Sequence, residues 1–177
     1  KAIGSFPMAQ QSKPYEKPDS INIVWRGSAT HYADLEVYKD IFIKLSNKFN
    51  LYFFGVAPMW KINYNFIPGQ NLFDFFNTFR NTNPTFLLYP LEENNFNYSK
   101  SNIAFLESAE AGAATITNLV TNEWNWNCIL HDPSIFDSSE KDLIDIHKNY
   151  LTLSRKIINS NYNIDELNSH RFTLLNN

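Results

Sequence analysis

Between Ile21 and Ile116 the chain alternates short apolar runs with longer stretches in which apolar residues recur every three or four positions. That alternation of a strand period with a helix period restricts the fold more than any other feature. Ile21-Asn22-Ile23-Val24-Trp25 predicts a strand ending at the turn Arg26-Gly27-Ser28. From Ala33 to Phe49, the residues Leu35, Tyr38, Phe42, Leu45 and Phe49 fall on one helical stripe, which predicts a helix there. Leu51–Phe54, closed by Gly55, predicts a second strand, and Ile62–Ile67 a third, followed by a Phe-rich helix from Leu72 to Arg80. Thr85–Tyr89 predicts a fourth strand stopping at Pro90. Leu91–Tyr98 has no period and reads as a loop, and Ser99–Ala111 reads as a helix stopped by Gly112. Ala113–Ile116 and Asn127–Leu130 make a fifth and a sixth strand. Two helices close the chain, the acid-x-x-Glu patterns Asp137–Glu140 and Asn163–Glu166 supplying their caps.

Strands alternating with helices imply an α/β fold, a Rossmann-like doubly wound parallel sheet of about six strands with helices on both faces. Ligands of such sheets sit outside the carboxyl ends of the strands, so chemistry is expected in the loops 26–31, 55–61 and 90–101. At 177 residues the chain suits one domain with a little left over, which we divide as a linker over 1–20 and a Rossmann-like domain over 21–177. The start at Lys1 and the loose stretch Gln10–Pro18 suggest a piece of a longer protein, joined through that linker.

Composition removes several classes of function. The net charge of -3 offers no basic face for nucleic acid. No run reaches the roughly 18 apolar residues that would span a bilayer. One cysteine, Cys128, makes neither an internal disulfide nor a zinc cage; it reads as a small buried hydrophobe in a reducing, cytoplasmic setting. Asn numbers 24, more than the 15 Lys and Arg together, an excess read as a background of AT-rich coding. With five Gly, at 4, 27, 55, 69 and 112, neither G-x-G-x-x-G nor the P-loop pattern occurs. There is no G-x-S-x-G, no H-E-x-x-H and no pair of Asp two apart, so no metal site is expected. The four His, at 31, 131, 147 and 170, are scattered and read as surface or core residues; His31 reads as a helix cap or surface group. Asp34, Asp74 and Asp132 are not spaced as the acidic cluster of a receiver domain.

Three features carry chemistry. Arg26, Gly27 and Ser28, on the turn between first strand and first helix, offer a guanidinium and backbone N–H groups to a phosphate. Ser99, Lys100 and Ser101 fall in the first turn of the predicted fourth-strand helix, where a cation opposes the helix dipole by up to about 1 kcal/mol unless an anion binds there. Glu107 lies two helical turns later on the same face, with Glu110 as its rival. Finally, the small-residue strand Gly112 to Asn118, following directly on that helix, lets helix and sheet approach closely.

The order of strand, Arg26-Gly27-Ser28 turn with His31 and Asp34, helix, strand ending in Gly55, then Pro90-Leu91, Phe96-Asn97, Lys100-Ser101, Leu106-Glu107 and Gly112 resembles a known family. It is similar to the C-terminal, nucleotide-sugar-binding domain of GT-B fold glycosyltransferases, nearest to the glycosyl transferases group 1 family, from about Ile21 to the end. The resemblance implies that Glu107 binds the donor ribose hydroxyls. It makes Arg26 and Lys100 the catalytic cations at the diphosphate, and Gly27, Ser28, Asn97, Ser99 and Ser101 donor contacts. Ser99 stands where the family has a second glutamate, and the family lysine after the first strand has no counterpart, Lys39 lying inside the helix. A metal-independent, retaining glycosyltransferase follows from the resemblance, with a nucleotide diphosphate sugar as substrate and no cofactor. Its acceptor-binding domain would precede Lys1, leaving the fragment inactive alone, and the full-length protein would associate peripherally with a membrane. The alternative is a non-catalytic nucleotide- or protein-binding module of the same fold. Trp25, Phe96 and Tyr98 are the aromatics expected near the site.

Overall fold

A computed structural model describes residues 15–119, 121 and 123–161. Strands β1 (Asn22–Arg26), β2 (Asn50–Gly55), β3 (Asn65–Pro68), β4 (Phe86–Leu88) and β5 (Ala114–Ile116) form one sheet in the order β3-β2-β1-β4-β5. Every pairing is parallel, with Ile23 beside Leu51 and Phe86, and Val24 beside Tyr52 and Leu87. Because side chains alternate along a strand, this register sorts the core into two halves. Ile23, Trp25, Phe53, Phe86 and Leu88 pack on one face, Val24, Phe54 and Leu87 on the other.

The connections cover both faces. Helices α1 (Tyr32–Val37) and α2 (Lys39–Leu45) bring Leu35, Phe42 and Leu45 to the first half of the core. Helices α3 (Leu72–Asn81) and α5 (Ile103–Ala111) bring Phe79, Ala104 and Phe105 to the second. A four-residue helix α4 (Asn95–Tyr98) lies between β4 and α5, and α6 (Glu140–Asn161) buries Leu143 in the first half. The structure is therefore a doubly wound α/β sheet, as its alternating periods predict.

Several boundaries differ from expectation. The helix expected over 33–49 is two helices, because Tyr38 leaves helical geometry at φ -115°, ψ 24°, its N–H turning to the Leu35 carbonyl at 3.2 Å. The stripe stays buried across the break, since periodicity reports which side chains face inward rather than whether the hydrogen-bond ladder is continuous. Among the described residues the sheet has five strands, not six. Of Asn127–Leu130 only Leu130 pairs, as a single parallel bridge to Ile116, while Ile129 N–H turns back to the Trp126 carbonyl at 2.9 Å. Three apolar residues in a row suit a buried turn as well as a strand, and here Cys128 and Ile129 are buried in a turn. The aperiodic stretch 91–98 holds α4, started by the Asn94 side chain accepting from Asn97 N–H at 2.8 Å. The helix expected from Ser99 begins at Ile103.

Gly112 does end α5, in the left-handed region at φ +103°. The cap of α6 is Ser139, whose Oγ accepts from Asp142 N–H at 3.2 Å, not the expected Asp137–Glu140 pair. Asp137 instead ends a 3-10 turn begun at Asp132. The second closing cap, 163–166, lies outside the described residues. Among those described, 15–20 carry no helix or strand, and no helix is long and apolar enough to cross a membrane.

Candidate functional site

The strands β1 and β4 are neighbours whose following helices leave to opposite faces, α1 to one and α5 to the other. In open parallel sheets such a switch point is where ligands bind, outside the carboxyl ends of the two strands. Its floor depends on two glycines. Gly55, at φ +85°, lies so close to Gly27 that an added Cβ would sit 2.3 Å from the Gly27 carbonyl oxygen, and Gly27 N–H donates to the Phe54 carbonyl at 3.1 Å. A Cβ on Gly27 would meet the Trp25 ring at 2.6 Å. The end of β1 is thus held low against β2, and Arg26 projects at the crevice.

Arg26 Nη2 pairs with Glu107 Oε2 of α5, and among the described residues neither atom has another hydrogen-bond partner. Both are largely withdrawn from water, their side chains 22% and 8% exposed. Burial pushes the Glu107 carboxyl above its usual range, and the Arg26 charge opposes part of that rise. The Arg26 guanidinium lies 5.9 Å from the centre of the Tyr89 ring and 6.0 Å from that of Phe75.

A second cation, Lys100, reaches the same ring from the α4–α5 link, its Nζ 5.8 Å from the Tyr89 centroid and 5.3 Å from that of Phe96. Its partners form a buried network around Asp34 of α1. Asp34 Oδ1 accepts from Glu92 N–H at 2.8 Å and Asn97 Nδ2 at 2.7 Å; Oδ2 lies 2.7 Å from His31 Nδ1 and 3.5 Å from Lys100 Nζ. Lys100 Nζ donates to Asn97 Oδ1 at 2.8 Å and sits 3.0 Å from His31 Nδ1. An ionised carboxylate only accepts, so the short contact places the His31 proton on Nδ1. Burial alone would raise the Asp34 carboxyl; the donors from Glu92, His31 and Asn97 and the charge of Lys100 outweigh it and hold Asp34 below the usual range. Burial lowers the Lys100 ammonium, which Asp34 partly counters and Arg26 reinforces. From beneath, Trp124 stacks on Tyr89 with centroids 5.5 Å apart, and its indole N–H donates to the Lys100 carbonyl at 3.2 Å.

This edge therefore gathers Arg26 from β1 with Asn97, Lys100 and Glu107 from the continuous stretch 97–107. Gly27 shapes the floor, and Ser28 stays at the rim, its Oγ 2.7 Å from Thr30 Oγ1. Ser99 turns its Oγ back to the Asn95 carbonyl at 3.1 Å and is exposed, as is Ser101 in the link. Neither serine, nor Lys100, lies in a first helical turn, so the opposition between Lys100 and a helix dipole is not present; Asp34 is its counter-charge instead. Glu110 is at the other edge, paired with Arg80 beside a cavity of about 410 Å³ that His147 and Asn22 also line. Lys39 pairs with Glu36 on the helix surface at 3.4 Å.

Of the expected aromatics, Phe96 covers Lys100, whereas Trp25 is core, 1% exposed against Phe53. Tyr98 is half exposed on α4. Sequence reasoning passed over Asp34 as a site member, along with Tyr89 and Trp124. The i,i+3 spacing of His31 and Asp34 is the one local signal that points to the first. Among the described residues no group of three or more His, Cys, Asp or Glu side chains converges as a metal site. The sequence matches no protein-family model and no curated protein.

Proposed function

We propose that the carboxyl-edge crevice binds the diphosphate of a nucleotide sugar, and that the chain is the donor-binding domain of a GT-B glycosyltransferase. The observation that carries this reading is the convergence of Arg26, from the end of β1, and Lys100, from the α4–α5 link, on the Tyr89 ring at the β1–β4 switch point. Sugar transfer breaks the bond between the anomeric carbon and the diphosphate, and the charge left on the diphosphate needs fixed cations where no metal supplies them. Arg26 and Lys100 fill that role, and Glu107 on α5 is the carboxylate within reach of a ribose. Reaction with an acceptor would draw on a second domain.

The test is calorimetric titration of the chain with UDP, GDP and ADP. Binding by one of them, lost in Lys100→Gln with the fold intact by circular dichroism, is the expected result. A folded protein giving no heat with any of the three at about millimolar ligand would sink the reading.

One observation favours the runner-up, a non-catalytic module of the same fold. Glu107 is engaged by Arg26, and Ser99, where the resembling family has a second carboxylate, is bonded to its own helix. Under that reading UDP or GDP binds, while Glu107→Ala leaves the affinity unaltered.

A further inference from the structure

The charges at the crevice cancel. Arg26 faces Glu107, Lys100 faces Asp34, and the Glu92 carboxylate turns outward to Asn94 Nδ2 at 2.8 Å. Two cations and two carboxylates, each already opposed, leave this edge neutral on balance. Within this network one titratable side chain is uncharged in its neutral form and free to answer: His31. Its Nδ1–H is committed to Asp34, with Lys100 beside it. Its Nε2 has no hydrogen-bond partner among the described residues and is not one of the enclosed polar atoms. An imidazole held at Nδ1 by a carboxylate leaves Nε2 to act as a donor once it carries a proton, with the Lys100 ammonium 3.0 Å from Nδ1 as the opposing charge.

We propose that diphosphate binding at this edge is coupled to protonation of His31, whose Nε2–H becomes a third donor to the ligand beside Arg26 and Lys100. The inference rests on the diphosphate reading above and adds its condition: the site acquires net positive charge only when the ligand, or the medium, supplies His31 with a proton. The proton comes from solvent and no covalent bond is made. The groups that set this charge are Asp34 from α1, Lys100 from the α4–α5 link, Arg26 from β1 and Glu107 from α5. Asp34 is a positioning residue for His31 here, and His31 the ligand contact.

The experiment is titration of the chain with whichever of UDP and GDP binds more tightly, in two buffers of different ionisation enthalpy at about pH 7, for the wild type and His31→Gln. Subtracting the variant removes protons taken up by the phosphates themselves. The wild type is expected to take up more protons than the variant, by between about 0.3 and 1 per ligand, with affinity about 3- to 10-fold higher at pH 6. Because the variant could lose its fold, the wild type labelled with nitrogen-15 histidine is titrated in parallel, and the His31 Nε2 resonance should move toward the protonated form on saturation. Binding without extra uptake, or a His31 resonance that stays put, overturns the coupling and leaves the diphosphate reading standing. No binding at either pH removes the diphosphate reading, and the coupling with it.

Discussion

Arg26 and Glu107 are paired with most of both side chains withdrawn from water. Breaking such a pair from one side strands a buried charge, whereas replacing both with apolar groups relieves it. Arg26→Met is therefore expected to lower unfolding free energy by about 3 kcal/mol, and Arg26→Met combined with Glu107→Leu to recover most of that loss. Urea unfolding of the two variants and the wild type tests this; a double variant no better than the single one refutes it. His147 poses a different question of charge. It is 3% exposed, lies against the Tyr15 ring and donates Nε2–H to the Gly112 carbonyl at 2.7 Å. Burial holds it below the ordinary imidazole value, the Gly112 bond opposing and Arg155 adding to the fall. A depressed folded-state value means that the unfolded chain binds the proton more readily. His147 thus contributes stability that is present above the unfolded imidazole value and lost as pH falls from about 7 to 5. Glu107 and Glu110, both raised by burial, act in the opposite sense over acid pH. His147→Gln, which keeps the donor to Gly112, should flatten the fall in urea midpoint between about pH 7 and 5; a slope equal to the wild type's would refute the assignment. At this scale the sequence was readable where a residue's chemistry matched its local spacing, as at Arg26 and Glu107. It was silent on Asp34, whose partners Glu92, Asn97 and Lys100 are 58 to 66 residues away in sequence.

Elements were legible in their centres and not at their ends. The β-branched and aromatic runs at 21–25 and 51–54 announce β1 and β2 because a strand buried on both faces needs little else. The break at Tyr38 and the start of α5 at Ile103 depend on hydrogen bonds that no apolar pattern records. Lys100 shows the consequence: placed at a helix start by periodicity, it sits in a link whose position is set by the Asn97 and Trp124 contacts. The junction of β1 and β2 gives a sharper test of element-level packing. Gly55→Ala forces a Cβ against the Gly27 carbonyl at a left-handed φ, and the end of β2 must move away from β1. A loss of about 2–4 kcal/mol in urea unfolding is expected, larger than the roughly 1 kcal/mol typical of a point substitution. A loss under about 1 kcal/mol would mean that the two strand ends are not locked together.

The molecule as a whole is a sheet with a rigid centre and a weak margin. β1 has β2 on one side and β4 on the other, and its first four residues are buried, while β3 pairs only with β2 and leaves Phe66 47% exposed. Amide hydrogen exchange should therefore be slowest in β1, β2 and β4 and fastest, among the strands, in β3. Equal protection across the five would contradict this gradient. Doubly wound architecture was foreseeable from the alternating periods alone, whereas the loss of a sixth strand was not, since Cys128, Ile129 and Leu130 are apolar in either arrangement. Trp124, beneath the crevice, has one further consequence. Its ring is sealed from solvent, lies on Tyr89 and is bonded to the backbone of Lys100. The indole is a built-in optical reporter, so any occupant that shifts Lys100 alters the protein's own fluorescence without a label.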